Sequence, residues 1–223
     1  TTKLVVRLGD YQKTLLVKRG YKVDDDGEIV ELQPGETPPP SLPGGLRFVG
    51  FWPLDSVYIQ KEFKWIKINP DNTAEDRREE NVDFILARDY VYGIRISKAE
   101  DKDLVPLDVL LAVTAWVSNP SKAYLRNTKD WFRTLVGRVS HYPREFVAVR
   151  SYEEVQKADL ENEIMKKLEA DGIIDEFKGR YGIAIYKVEV LDVNPDEKFR
   201  ALTLQKRGGQ MNANQAVEET AGR

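Results

Sequence analysis

Cysteine is absent from all 223 residues. Disulfide frameworks, Cys-ligated zinc, iron–sulfur clusters and thiol nucleophiles are therefore excluded. The zero count fits a reducing and an oxidising compartment equally. Histidine occurs once, as His141, so a multi-histidine metal site cannot form within one chain, and His141 is the only imidazole base on offer. No apolar run approaches the ~18 residues that a membrane-spanning helix needs, and no signal-peptide pattern is present. A strong charge of either sign is lacking too: 34 Lys and Arg face 37 Asp and Glu, for a net charge of −3. That balance argues against a general nucleic-acid binder. What remains is ample for a core: 41% of residues are hydrophobic, which rules out wholesale disorder. At ~150 residues per domain the length fits one large domain, alone or with an appendage. Thr1 in place of Met, and a helix-forming stretch running to Arg223, lead us to expect cut ends, with an anchor or a longer tail outside this sequence.

The first third reads as β structure. Leu4-Val5-Val6 and Leu15-Leu16-Val17 are apolar runs, and Asp24-Asp25-Asp26-Gly27 is a turn after which Ile29 to Leu32 pairs back. Pro34-Gly35 and Pro38-Pro39-Pro40 mark a loop. Val57 to Ile68 alternates, with Val57, Ile59, Phe63 and Trp65 on one face, which predicts a strand with one buried side. Asp71 to Glu80 is polar, and its run of charges from Glu75 predicts a solvated loop or insertion. Val91 to Val117 reads as an antiparallel hairpin. Its second strand carries Val105, Leu107, Val109, Leu111, Val113, Ala115 and Val117 on one face, with Leu110, Ala112 and Trp116 on the other. A strand apolar on both faces belongs in the middle of a covered sheet.

Helices follow. Asn119-Pro120 supplies an N-cap and a first-turn proline. Trp131, Phe132, Leu135, Val136 and Val139 define one face of a helix from Ala123 to Val139, and Pro143 should break or kink it. Ser151-Tyr152-Glu153-Glu154 is a capping box that opens a helix using Val155, Leu160, Ile164 and Leu168, stopped near Gly172. A short helix near Ile174–Phe177 and a strand from Ile183 to Val193 come next, and Asn194-Pro195 launches an exit helix to about Arg207. The residues from Gln205 on carry only Met211 and Val217 as large apolar groups. Such a helix needs partner helices.

The sum is an α/β chain of the α+β type: a mainly antiparallel sheet with packed helices, then an exit helix toward a coiled coil. The expected boundaries are 1–193 for the main domain (β-rich to about 117, helical from 118) and 194–223 for the start of the coiled-coil-like segment.

Several stretches, in order, carry a family likeness: Leu42-Pro43-Gly44-Gly45-Leu46-Arg47-Phe48 with Trp52-Pro53-Leu54-Asp55-Ser56-Val57; Asp101 to Val109; Trp116-Val117-Ser118-Asn119-Pro120; Arg144-Glu145 followed by Ser151 to Val155; and Tyr181-Gly182-Ile183 with Val188 to Pro195. Together they resemble the SPFH or band 7 superfamily of stomatins, prohibitins, flotillins and bacterial relatives. The likeness spans most of Gln12 to Arg223. Asp24–Pro40 and Asp71–Glu80 depart from it as insertions, and the family's preceding membrane segment is missing. The resemblance implies a non-enzymatic, membrane-associated scaffold without cofactor. Such a scaffold assembles as a homo-oligomer, through the domain and a following coiled coil. It contacts membrane lipid, organises a membrane microdomain, or regulates membrane proteins or a membrane protease.

Two kinds of site residue follow. Leu46–Leu54 is either a core strand or a membrane-contact loop whose Phe48, Phe51 and Trp52 sit at the headgroup boundary. Arg47, Lys61, Lys64 and Lys67 would then favour anionic lipid, diluted by Asp55 and Glu62. Arg200, Lys206, Arg207, Met211 and Val217 are the expected oligomer contacts. His141 beside Ser140 reads as a surface histidine at a helix end, because adjacent helical residues diverge and no Gly-x-Ser-x-Gly elbow exists. Asp24 and Asp26 read as a solvated turn. A soluble cage-forming domain resembling the shoulder of vault particles, and a carboxylate-based enzyme, stand as alternatives.

Overall fold

The computed structural model describes residues 1–39, 47–126, 130–196 and 199. The chain is mixed α and β, with mainly antiparallel sheets. Strands β1 (Thr2–Arg7) and β2 (Asp10–Leu16) form a hairpin, and β5 (Asp55–Val57) pairs on the other side of β1. Between them β3 (Tyr21–Val23) and β4 (Ile29–Glu31) make the hairpin expected around Gly27. A five-stranded sheet then runs in the order β10-β9-β8-β6-β7, using β6 (Gln60–Ile68), β7 (Ala74–Val82), β8 (Tyr90–Glu100), β9 (Pro106–Val117) and β10 (Ile183–Pro195).

The central hairpin β8–β9 is as the alternation predicts. Leu107, Val109, Leu111, Val113, Ala115 and Val117 are all buried, each stabilising by about 1.5–3 kcal/mol for the larger side chains. The opposite face of β9 is only partly covered. Leu110 and Trp116 are half-buried, and Trp116 packs on the small cluster of Leu16, Ile29 and Ala87. The link between the strands is held by Asp101, whose Oδ1 accepts from the backbone N–H groups of Asp103 and Val105, both at 2.8 Å.

Three β expectations need correction. Val57–Ile68 is not one strand: the chain leaves the first sheet after Val57 and joins the second at Gln60, which leaves Ile59 exposed. The charge run is not a loop but β7, the edge strand beside β6. An edge strand bare on both faces needs no apolar period; its backbone ladder and side-chain ion pairs hold it. Arg78 bridges Glu62 and Glu80, each at 2.7 Å, and Arg77 meets Glu75 at 2.8 Å. Finally β10 extends through Asn194 and Pro195, which face Asp108 and Leu107. No helix therefore begins at Pro195, and most of the expected exit helix falls outside the described residues.

The helices cover one face of the sheet: α1 (Pro120–Leu125), α2 (Trp131–Val139), α3 (His141–Ala148), α4 (Tyr152–Lys157), α5 (Leu160–Ala170) and α6 (Ile173–Glu176), the last followed by a π-helical turn from Phe177 to Tyr181. The two long helices expected from periodicity are each divided. Asp130 caps α2 by accepting from Arg133 N–H at 2.7 Å, and Asp159 caps α5 by accepting from Asn162 N–H at 3.3 Å. An Asp that prefers a cap can interrupt an apolar stripe that continues past it. Pro143 does not break a helix; it lies in the first turn of α3, where its missing N–H has no partner to lose.

The capping box is present as read. Ser151 N–H donates to Glu154 Oε2 at 2.8 Å, while Ser151 Oγ accepts from Glu154 N–H at 3.4 Å. Ser151→Ala should lower stability by about 1 kcal/mol, measured as a shift in the urea midpoint.

Candidate membrane-contact site

Residues 47–54 do not enter the core, so the core-strand reading of this stretch fails. Phe48, Phe51 and Trp52 are 54%, 69% and 88% exposed. The reason is local. Gly50 lies at φ +146°, over Asp55, where a Cβ would overlap the carboxylate. The chain then turns at Phe51, whose carbonyl accepts from the N–H groups of Leu54 and Asp55, both at 3.0 Å. This turn throws Trp52 outward.

Asp55 pins the loop from beneath. Its carboxylate is buried and accepts from Arg7 Nε at 2.8 Å, Arg7 Nη2 at 3.0 Å and Phe51 N–H at 2.9 Å. Two parallel guanidinium bonds fix geometry as well as charge. The Arg7 pairing, with help from the Phe51 N–H, lowers the Asp55 carboxyl to about 2. Because the folded value lies below the unfolded one of about 3.9, the folded state binds fewer protons. The contribution of Asp55 is therefore full above about pH 5 and lost as pH falls from about 4 toward 2. Asp55→Asn should accordingly lower the melting temperature at neutral pH, and its deficit against wild type should shrink as pH falls through that window.

The loop has a neighbour that sequence reading passed over. Leu8, 81% exposed in the β1–β2 turn, donates its N–H to the Leu54 carbonyl at 3.3 Å. Leu8 and the half-exposed Leu54 thus extend the aromatic loop into one apolar tip. An apolar residue beside Gly9 in a two-residue hairpin turn was the available signal. Phe48 and Phe51 meet edge to face at 5.3 Å, and Lys13 Nζ donates to the Phe48 carbonyl at 2.9 Å. The expected cationic company of the loop is different. Lys61, Lys64 and Lys67 sit on β6 in the other sheet, and Lys64 is paired with Glu62 at 3.0 Å. Asp55 does not dilute the patch, since Arg7 holds it.

The remaining expected contacts, Arg200, Lys206, Arg207, Met211 and Val217, lie outside the described residues. His141 is exposed on the first turn of α3, with Nε2 3.0 Å from Glu145, and Ser140 Oγ donates to the Val136 carbonyl at 2.6 Å. The two side chains do not meet as nucleophile and base. An apolar cavity of about 230 Å³ lies among Phe63, Trp65, Tyr92, Tyr124 and Trp131, with Glu79 the one carboxylate among its described lining residues. Burial pushes the Tyr92 and Tyr124 hydroxyls upward. Among the described residues no group of three or more His, Asp or Glu stands close enough to hold a metal ion, and no helix is long and apolar enough to cross a membrane.

No protein-family model matches the chain, and no curated protein matches it.

Proposed function

We propose that the chain is a non-enzymatic, membrane-associated scaffold domain of the SPFH or band 7 kind, docked on lipid through the tip of its first sheet. One observation carries the reading: a loop with Phe51 and Trp52 turned outward is tied from below to the buried Asp55, which is in turn held by the half-exposed Arg7. Large aromatics kept in water on a pinned loop suit a membrane interface, where the ring is apolar and its edge is wet. Leu8 and Leu54 enlarge the apolar area. The antiparallel sheet with helices on one face is the α+β architecture that the residue pattern predicts. In this proposal the residues after Pro195 lead toward a coiled coil and join copies into a homo-oligomer. Many weak tips then act together as avidity and enclose a microdomain, or hold a membrane protein or protease.

The test is flotation with phosphatidylcholine vesicles. Wild type should float, and Phe51→Ser with Trp52→Ser should weaken association by at least about tenfold, since each buried aromatic is worth about 1.5–3 kcal/mol. Both positions are exposed, so folding should be unaffected. A wild type that never floats would leave a soluble cage as the better reading.

A further inference from the structure

The core against the five-stranded sheet is incompletely filled. The cavity of about 230 Å³ beside Trp131 exceeds the roughly 150 Å³ that suffices for benzene, so it has room for an aromatic ring and a few atoms more. Phe63 and Trp65 of β6 and Tyr92 of β8 form its sheet side. Tyr124 and Trp131 close its helix side, tied to one another by the Trp131 Nε1–H bond to the Tyr124 hydroxyl at 3.2 Å. The polar groups in these walls are short of acceptors. Tyr92 is 5% exposed, yet among the described residues its hydroxyl makes no hydrogen bond. The Tyr124 oxygen already accepts from Trp131, and no described residue takes the proton of that hydroxyl. Trp65 Nε1–H is buried without a partner in the same wall. Burial holds both phenols protonated, and the two hydroxyls are near enough to affect each other's ionisation. Native proteins leave few buried donors unmatched. An ordered water needs about two to four polar partners, so these hydroxyls can hold one water and leave most of the space to something apolar.

We infer that this cavity binds a small neutral aromatic carbonyl compound, its ring among Phe63, Tyr92 and Trp131 and its oxygen accepting from the Tyr92 hydroxyl, with Tyr124 as the second donor. The walls choose the ring, since aromatic side chains pack best against another aromatic edge to face or offset. The unmatched donors choose the carbonyl, which accepts and does not donate. The rim chooses neutrality. Glu79 lines the cavity and is exposed, so an entering carboxylate meets a like charge, and no cation is among the described lining residues to receive it. A buried anion without a partner is costly. A ligand ammonium would present donors to donors. Nothing in this site depends on the docking tip, which belongs to the first sheet.

Calorimetric titration of the full chain with acetophenone tests it. α-Methylstyrene has the same shape with a methylene in place of the oxygen, and benzoate has a similar size with a negative charge. Acetophenone should bind one molecule per chain, about tenfold more tightly than α-methylstyrene, and benzoate should bind at least about tenfold more weakly than acetophenone. Tyr92→Phe keeps the ring and removes the hydroxyl. It should weaken acetophenone by about five- to tenfold and leave α-methylstyrene unchanged, with an unaltered far-ultraviolet spectrum to show that the fold is kept. Nuclear Overhauser contacts from the acetophenone protons should reach the rings of Tyr92 and Trp131. Equal affinity for the ketone and the alkene would overturn the assigned hydrogen bond. Benzoate binding as tightly as acetophenone would overturn the neutral class. Contacts to other residues, or acetophenone binding indifferent to Tyr92→Phe, would move the ligand out of this cavity. No acetophenone binding at all would leave the cavity to water and sink the proposal outright.

Discussion

Trp131→Ala is expected to lower the unfolding free energy by about 3–5 kcal/mol, the range for emptying a buried tryptophan site. Trp131 is fully buried in α2 and forms the centre of an aromatic cluster. Its ring stacks on Phe63 at 5.7 Å and meets Tyr92 edge-on at 5.0 Å and Phe132 at 5.8 Å. Its Nε1–H donates to the Tyr124 hydroxyl at 3.2 Å. Alanine removes all of this and leaves that hydroxyl, on a half-buried tyrosine packed against the core, one partner short. The apolar cavity beside Trp131 would grow, since collapse of the surrounding rings is already incomplete there. The loss should therefore fall in the upper half of the range. Trp131→Phe retains most of the ring contacts and should lose about 1–2 kcal/mol. Urea unfolding of the three proteins measures both; a loss below about 1 kcal/mol for the alanine variant would contradict the packing described.

Gly182→Ala should be the next most damaging single change, at about 2–4 kcal/mol. Gly182 follows the π-helical turn at φ +66°, a conformation that L side chains resist. A Cβ there would also overlap the carbonyl oxygen of Asn119. The approach is close because the Gly182 carbonyl accepts from both Ser118 and Asn119 N–H, each at 2.9 Å. Asn119 in turn caps α1 by accepting from Lys122 N–H at 3.2 Å, and its Nδ2 donates to the Asp26 carbonyl at 2.9 Å. One small residue thus lets the end of β9, the start of α1, the β3–β4 turn and the start of β10 meet. Gly179→Ala, three residues earlier and with open space around its Cβ position, is the control. It should be neutral or gain a few tenths of a kcal/mol in thermal melts.

Residues whose neighbours in sequence are also their partners in space were legible. The Asn119-Pro120 cap, the Ser151 capping box and the alternation along β9 all emerge as the pattern requires. What sequence reading missed depends on partners far along the chain. The strand β7 has no apolar face of its own, and only β6 makes it a strand. The breaks before Asp130 and Asp159 hide beneath an apolar stripe that runs on through them. Phe48, Phe51 and Trp52 were picked out as a group, but their composition suits a core strand equally well. The deciding contact, Arg7 with Asp55, spans 48 residues. Lys13 escaped notice for the same reason, since its contact with Phe48 joins β2 to a loop 35 residues further on.

The alternating charges of β7 also govern how two molecules of this chain behave when they meet in concentrated solution. The unpaired margin of the sheet is dressed with Glu75, Asp76, Arg77, Arg78, Glu79 and Glu80, so an approaching strand would have to shed hydrated ions before its amides could zip on. High ionic strength shortens the reach of those ions to about 3 Å at 1 M and leaves the margin less guarded. Concentrated solutions should therefore hold distinct molecules in dilute buffer and grow adhesive along this seam in brine.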